Sequence, residues 1–305
     1  MFDRILVPLD GSPVAEYVIP YAVLLAKRLA QPVILVTVVD TRDLPLDRDG
    51  KVRGLIEMQR SFGYDYLDKT RQRFEAEGIS TSIEAAIGPA ATAILDAAKS
   101  HDVGLIAMGT HGRAGVERWR LGSVSDRVLR TASAPILLVR PPHDGEVRAA
   151  PAVPAIQHIV LPLDGSPLAE AALPVARALA GAFSAPVTVA RTVSFAWYAA
   201  GGASPYDGLD AATSAELLAA MEDDARAYVE GIVEQLRQAN LAASVHVSHG
   251  VPGDPITELA AATPGSLVVM STHGRSGLGR TLLGSVTDHV VRSSAAPVLI
   301  VRGQS

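Results

Sequence analysis

Two short stretches of the chain collect residue types suited to holding a phosphate-bearing ligand. One is Met108-Gly109-Thr110-His111-Gly112-Arg113-Ala114-Gly115, followed by Leu121-Gly122-Ser123-Val124. Glycines let a backbone approach a phosphate closely, and a helix starting near Ser123 presents unpaired N–H groups and the positive end of its dipole. The Ser123 hydroxyl can donate to phosphate or cap that helix, because Ser123-x-x-Asp126 and Ser285-x-x-Asp288 have the form of a capping box. Capping alone does not require glycines at 109, 112 and 122, so the anion loop is the stronger reading. The other stretch is Pro8-Leu9-Asp10-Gly11-Ser12. Its carboxylate can accept from a ribose hydroxyl or an adenine amine, or hold a metal through water. Equally, Asp-Gly-Ser forms a turn and caps a helix starting near Val14.

Other chemistries lack their residues. There is no Gly-x-x-x-x-Gly-Lys-Ser/Thr, no Gly-x-Gly-x-x-Gly after the first apolar run and no Gly-x-Ser-x-Gly. His111 and His273 sit in Gly-rich loops without an evident carboxylate partner, so no catalytic residue is assigned. His246 and His249, three apart in a strand-like run, point to opposite faces and are not expected to share a metal; no metal ligands are assigned. Arg113, Arg118, Arg120, Arg275 and Arg280 bring positive charge near the glycines, and Arg113 and Arg275, which recur, are the preferred phosphate partners.

These stretches need a scaffold, and the chain writes that scaffold twice. RILVPLDGSP at 4–13 returns as HIVLPLDGSP at 158–167, an offset of 154. THGRAG at 110–115 returns as THGRSG at 272–277, and LGSV at 121–124 returns at 283–286, an offset of 162. The insertion that separates the offsets fits Phe195–Gly208, and the Pro- and Ala-rich PPHDGEVRAAPAVP reads as a linker. Domains at 1–140 and 156–305 joined by a linker at 141–155 follow, a duplication and not a solenoid. In the first copy, Ile5–Leu9, Val33–Val39, Ser82–Ala86, Leu105–Met108 and Ile136–Val139 read as strands. Val14–Ala30, Ile56–Glu77, Ala90–Ser100 and Ser123–Thr131 carry helical spacing. Regular alternation predicts a doubly wound α/β fold, a parallel sheet in each copy with ligands beyond the carboxyl ends of its strands.

Composition narrows the partners. A chain of 305 residues is about twice a common domain of roughly 100–150, consistent with two cores. Hydrophobic residues at 48% and charged ones at 19% exclude a disordered chain. With 27 Lys+Arg against 32 Asp+Glu and no basic run, nucleic acid is not expected as a partner. Cysteine is absent, which removes disulfides and thiolate sites. No signal-like start and no apolar stretch of the ~20 residues that span a bilayer are found, so a cytoplasmic protein without a membrane partner is expected.

Gly109-x-x-Gly112, nine residues, then Gly122-Ser123 resembles the ATP-binding signature of the universal stress protein family, and VPLDGS and APILLVR are similar to the same family. The resemblance runs through nearly all of both halves and is that of a tandem member. It implies five-stranded parallel sheets of order 3-2-1-4-5, with ATP at the switch between strands 1 and 4; Mg²⁺ is expected to accompany the phosphates, whose charge the loop arginines alone do not neutralise. Asp10 and Val38 would then meet the adenosine, Val38 beside the base, and Gly109, Gly112, Gly122, Ser123 and Val124 the ribose and phosphates, with Pro8, Met108 and Arg113 completing the site. Pro162, Asp164, Thr192, Met270, Gly274, Arg275, Gly284, Ser285 and Val286 occupy the matching places. Ser271 replaces the first glycine. If that position needs positive φ, the second site is weakened about five- to thirtyfold; if φ is negative, serine is tolerated.

The implied function is that of a nucleotide-dependent regulatory or stress-adaptation protein acting on an unidentified protein partner, with ATP hydrolysis absent or weak. The alternatives are a slow ATPase or nucleotide-processing enzyme, and a nucleotide-free interaction module. The halves are expected to pair as an intramolecular pseudo-dimer around Ile136–Val139 and Val298–Val301, with a homodimer as the further assembly.

Overall fold

Runs such as Ile5-Leu6-Val7, apolar without alternation, are buried on both faces in a parallel sheet covered by helices. The computed structural model describes residues 2–42, 51–110, 121–141, 154–194, 211–272 and 283–303. Its contacts divide into two units, Met1–Pro154 and Ala155–Ser305. The linker residues 142–153 and the stretch Phe195–Gly208 lie outside the described residues.

The first unit runs β1 (Ile5–Pro8), α1 (Pro13–Glu16), α2 (Ile19–Leu29), β2 (Val33–Val39), α3 (Lys51–Glu75) and β3 (Thr81–Ile87). It continues with α4 (Ala90–Ser100), β4 (Leu105–Gly109), α5 (Ser123–Thr131) and β5 (Ile136–Val139). Its strands are all parallel, in the order β3-β2-β1-β4-β5. The chain steps outward from β1 to β3 and then crosses back to β4, so the order reverses between β1 and β4, the point at whose carboxyl edge open α/β sheets bind their ligands. The second unit repeats this with β6 (His158–Pro162), α6 (Pro167–Glu170), α7 (Leu173–Phe183), β7 (Val187–Val193), α8 (Ala211–Gln238) and β8 (Ala243–His249). Then come α9 (Gly253–Ala262), β9 (Ser266–Thr272), α10 (Ser285–Ser293) and β10 (Val298–Arg302), ordered β8-β7-β6-β9-β10. Each unit therefore has the doubly wound 3-2-1-4-5 sheet.

The core of the first unit is the sheet itself, with Ile5, Leu6, Val7, Leu35, Leu105, Ile106 and Leu137 fully buried. α3 packs on β2 and β3 and contributes Leu67 and Phe74, both at 0% exposure. The strands β1, β3 and β4 differ from the sequence reading by one residue at one or both ends, and two helices differ more. The helix expected over Val14–Ala30 is two helices, broken at Tyr17-Val18, because Pro20 has no N–H to return to the preceding turn and its ring crowds the carbonyl there. Pro174 breaks α6 from α7 in the same way. α3 begins five residues before Ile56, at Lys51, and ends at Glu75, where Gly78 adopts φ 76° and the Ile79 N–H returns to the Phe74 carbonyl at 3.1 Å.

Phe74→Ala should destabilise the first unit by about 3–5 kcal/mol, since a fully buried ring leaves a cavity that the sheet cannot collapse into. Denaturant unfolding should show an early transition for that unit; coincidence with the wild-type curve would place Phe74 outside the core.

Candidate functional site

At the end of β1, Asp10 bends the chain: its Oδ1 accepts the Ser12 N–H at 2.9 Å, while Gly11 takes φ 78°, which disfavours any side chain. Ser12 is the N-cap of α1, its Oγ accepting the Ala15 N–H at 3.1 Å. The turn and the cap are therefore both real. They hold the Asp10 side chain at the carboxyl edge, beside β2, because Pro8 pairs with Val36 and the Leu9 N–H donates to the Val36 carbonyl at 2.8 Å. Continuing that register puts Asp10 next to Val38, which is half-buried. The second unit repeats the turn: Asp164 accepts the Ser166 N–H at 2.8 Å, Ser166 caps α6 at 3.1 Å, and Gly165 has φ 87°.

Across the strand reversal, β4 ends in Gly109 and the chain returns at Gly122. The Gly122 N–H donates to the Thr110 carbonyl at 2.8 Å and the buried Ser125 hydroxyl donates to the Gly109 carbonyl at 3.0 Å. These two bonds fasten the start of α5 over the end of β4 and close the base of the intervening loop. Gly122 is the N-cap of α5, at φ −57° and ψ 145°, with no side-chain cap bond. The capping box whose form Ser123-x-x-Asp126 has is therefore not made. Ser123 is the first helical residue, and Asp126 engages Arg130 four residues on, at 2.8 Å. The N–H groups of the first turn are left without a cap side chain, beside the exposed Ser123 and the half-buried Val124. Gly284 is likewise the N-cap of α10, Ser285 is exposed, and Asp288 pairs with Arg292 at 2.7 Å.

The remaining expected site residues fall into two groups. Met108 and Met270, 4% and 5% exposed, place their side chains in the core, so only their backbones are at the edge. Pro8 is buried and Pro162 half-buried as the last residues of their strands. Gly112, Arg113, Gly274 and Arg275, with His111, His273, Arg118, Arg120 and Arg280, lie outside the described residues. His246 and His249 both belong to β8, and His249 Nε2 stands 3.4 Å from a Glu222 carboxylate oxygen.

The backbone argument for a weaker second site is corrected by the strands. Gly109 is part of β4, opposite Val139, and Ser271 is part of β9, opposite Val301, so both positions are extended and serine brings no conformational strain. Its hydroxyl instead donates to the Leu168 carbonyl of α6 at 2.5 Å. Thr192, half-buried, shares a hydrogen bond of 3.1 Å with Ser248.

Several residues at this edge were not singled out from sequence. The Tyr66 hydroxyl donates to Glu16 at 3.0 Å and the Tyr228 hydroxyl to Glu170 at 2.8 Å, tying the long helix of each unit to the short helix after the turn. Burial, with the Glu16 carboxylate beside it, pushes the Tyr66 phenol far above the ordinary tyrosine range, so it stays a donor. The Ser125 hydroxyl donates to the carbonyl of Gly109, the last residue of β4, and the Thr287 hydroxyl to that of Ser271, one residue before the end of β9. Their recurrence in both halves was the available signal. At the end of β2, hydrogen bonds from Arg42 hold the Asp40 carboxyl below the usual carboxylate range.

The profile of the Universal stress protein family matches residues 1–140 and 155–302. The chain belongs to that family. A universal stress protein of Methanocaldococcus jannaschii is 32% identical over 143 residues, 47% of this chain and 84% of the relative. One of Mycobacterium tuberculosis is 27% identical over 206 residues, 67% of this chain and 63% of the relative. Among solved structures, a universal stress protein from Archaeoglobus fulgidus superposes with a TM-score of 0.73 at 19% identity, covering 99% of both chains, which shows a shared fold. In this universal stress protein, no helix among the described residues is long and apolar enough to cross a membrane.

Ser12→Ala should cost about 1 kcal/mol by removing the α1 cap, whereas Ser123→Ala, which removes no cap, should fall within about 0.5 kcal/mol of wild type. Thermal unfolding of the two variants checks this; equal losses would restore Ser123 as a capping residue.

Proposed function

We propose that this universal stress protein binds ATP and works as a nucleotide-dependent regulatory or stress-adaptation protein. The observation that carries the reading is the uncapped start of α5. Its N-cap, Gly122, has no side chain to occupy the first-turn N–H groups, while hydrogen bonds from Gly122 and Ser125 hold that start at the end of β4. Such a cradle fits a phosphate group, which a helix N-terminus binds through N–H donors and dipole together. Asp10 and Val38, on the other side of the strand reversal, fit a nucleoside: a carboxylate for a hydroxyl or an amine and an aliphatic surface for a base. The domains proposed are 1–140 and 156–305. In the first, Pro8, Met108, Gly109, Gly112, Arg113, Ser123 and Val124 complete the site, with the equivalent residues in the second.

Mg²⁺ would accompany the phosphates. Among the described residues no group of three or more His, Asp or Glu side chains is placed to hold a metal, so phosphate oxygens and water would supply most of its ligands. What the chain itself does is position the phosphates, and positioning does not activate a water. Binding without rapid turnover is the expected behaviour, and occupancy of the loop after β4 is the feature a protein partner would sense.

Gly122→Val tests the site. At φ −57° and ψ 145° valine fits the backbone, and it adds a β-branched side chain at the N-cap, where a phosphate would have to approach the first-turn N–H groups. Calorimetry should show ATP binding in the first half weakened roughly a hundredfold, about what losing one or two charge-assisted hydrogen bonds costs; unchanged affinity would refute the assignment. Phosphate release from ATP should stay near the buffer rate, and fast release abolished by His111→Ala would make the protein an enzyme.

A further inference from the structure

The two halves differ at positions that surround the same turn. Thr37 of β2 corresponds to Arg191 of β7, Val38 to Thr192, and Ala86 of β3 to Ser248 of β8, by the offsets of 154 and 162. In the first unit Thr37 points at α3, where its methyl group would stand 2.8 Å from a Cβ placed on Gly63. Val38 and Ala86, paired in the sheet, form an apolar surface next to Asp10. In the second unit the equivalent pair is two hydroxyls, Thr192 and Ser248. Arg191 lays its guanidinium over the Tyr228 ring, 5.0 Å from the centroid, and against the turn, with NH1 3.6 Å from a Cβ position on Gly165.

That guanidinium makes no hydrogen bond among the described residues. Stacking fixes its plane, and the hydrogen bond from Tyr228 to Glu170 fixes the ring beneath it, so its N–H donors are held in place at the rim beside Asp164. A planar fork of this kind recognises phosphate or carboxylate through paired charge-assisted bonds. β7 carries it on one side of the strand reversal, and α10 starts from the loop after β9 on the other. With β6 between them, two ladder spacings make about 10 Å.

We propose that Arg191 gives the second half a different ligand class from the first: a nucleoside carrying a phosphate group at each end. One phosphate would meet the α10 N-terminus at Gly284 and Ser285, and the other the Arg191 guanidinium. The first half, with Thr37 and Val38 in these places, takes a nucleotide phosphorylated at one end only. This rests on the nucleotide reading of the carboxyl edge given above.

The experiment uses the full chain carrying Gly122→Val, so that binding is read at the second half, titrated with adenosine 3′,5′-bisphosphate and with adenosine 5′-monophosphate. The bisphosphate should bind about tenfold more tightly, the gain expected from an added charge-assisted contact. Arg191→Thr, the residue of the first half, should bring the two affinities together. Arg191→Met, which keeps the aliphatic stem on Tyr228 and removes the charge, should do the same. Equal affinities before substitution, or a preference that survives both substitutions, overturns the proposal. If neither probe binds this chain, the proposal falls alone when ATP still binds the unsubstituted protein, and falls together with the nucleotide reading when it does not.

Discussion

The hydrogen bond from the Ser125 hydroxyl to the Gly109 carbonyl, with that from the Gly122 N–H to the Thr110 carbonyl, is the constraint on which the edge of the first unit depends. A strand and a helix separated by a glycine-rich loop have no intrinsic reason to stop in register. These two bonds set the register by joining the last strand residues to the first turn of α5. With that register set, the start of α5 stands at the end of β4, across the strand reversal from the Asp10 turn. A buried carbonyl at a strand end that lost its partner would cost about 1–3 kcal/mol, which is why a hydroxyl recurs at Thr287 in the second unit.

Duplication has kept this frame and changed what it surrounds. Both units retain the Asp-Gly-Ser turn, the glycine N-cap and the tyrosine-to-glutamate tie between long and short helices. Among the many substitutions that separate them, four lie near the strand reversal: Ser271 where the first copy has Gly109, Thr192 and Ser248 where it has an apolar pair, and Arg191 where it has Thr37. None needs a change of strand register, since Ser271 and Arg191 both occupy ordinary ladder positions in β9 and β7. The frame tolerates such exchange because its fastening bonds come from the backbone and from hydroxyls that point elsewhere.

The sheet was legible because its strands are written in unbroken aliphatic runs and the repeat doubles the signal; β2, β5, α4 and α5 fall where the pattern places them. The helix break at Tyr17-Val18 was not, since an apolar period of 3.6 continues across Pro20 and hides the missing donor. At the site, Asp10 and Ser12 were readable because a turn and a cap are local. The Ser-x-x-Asp pattern left capping open beside anion binding because it fits two registers of the same helix, and only the dihedral angles of Gly122 decide between them. Tyr66 with Glu16, and Arg191 with Tyr228, are partners from distant parts of the chain, and composition gives no sign of which tyrosine a fold will bring to which charge.

The strand reversal falls at the seam between β1 and β4, where Ile5 pairs with Leu105 and Leu6 with Ile106, partners a hundred residues apart. By contrast β2 and β3 are matched along their whole length, from Val33 with Thr81 to Val39 with Ile87. Closing so long a loop for so short a ladder makes this seam the most entropically expensive junction of the unit and a late one to assemble. A molecule lodged across it touches both sides of that junction and is bound by the folded unit alone, so its concentration enters directly into the folding equilibrium. A ligand held there would add its cohesion at the junction that joins the most distant parts of the unit's chain.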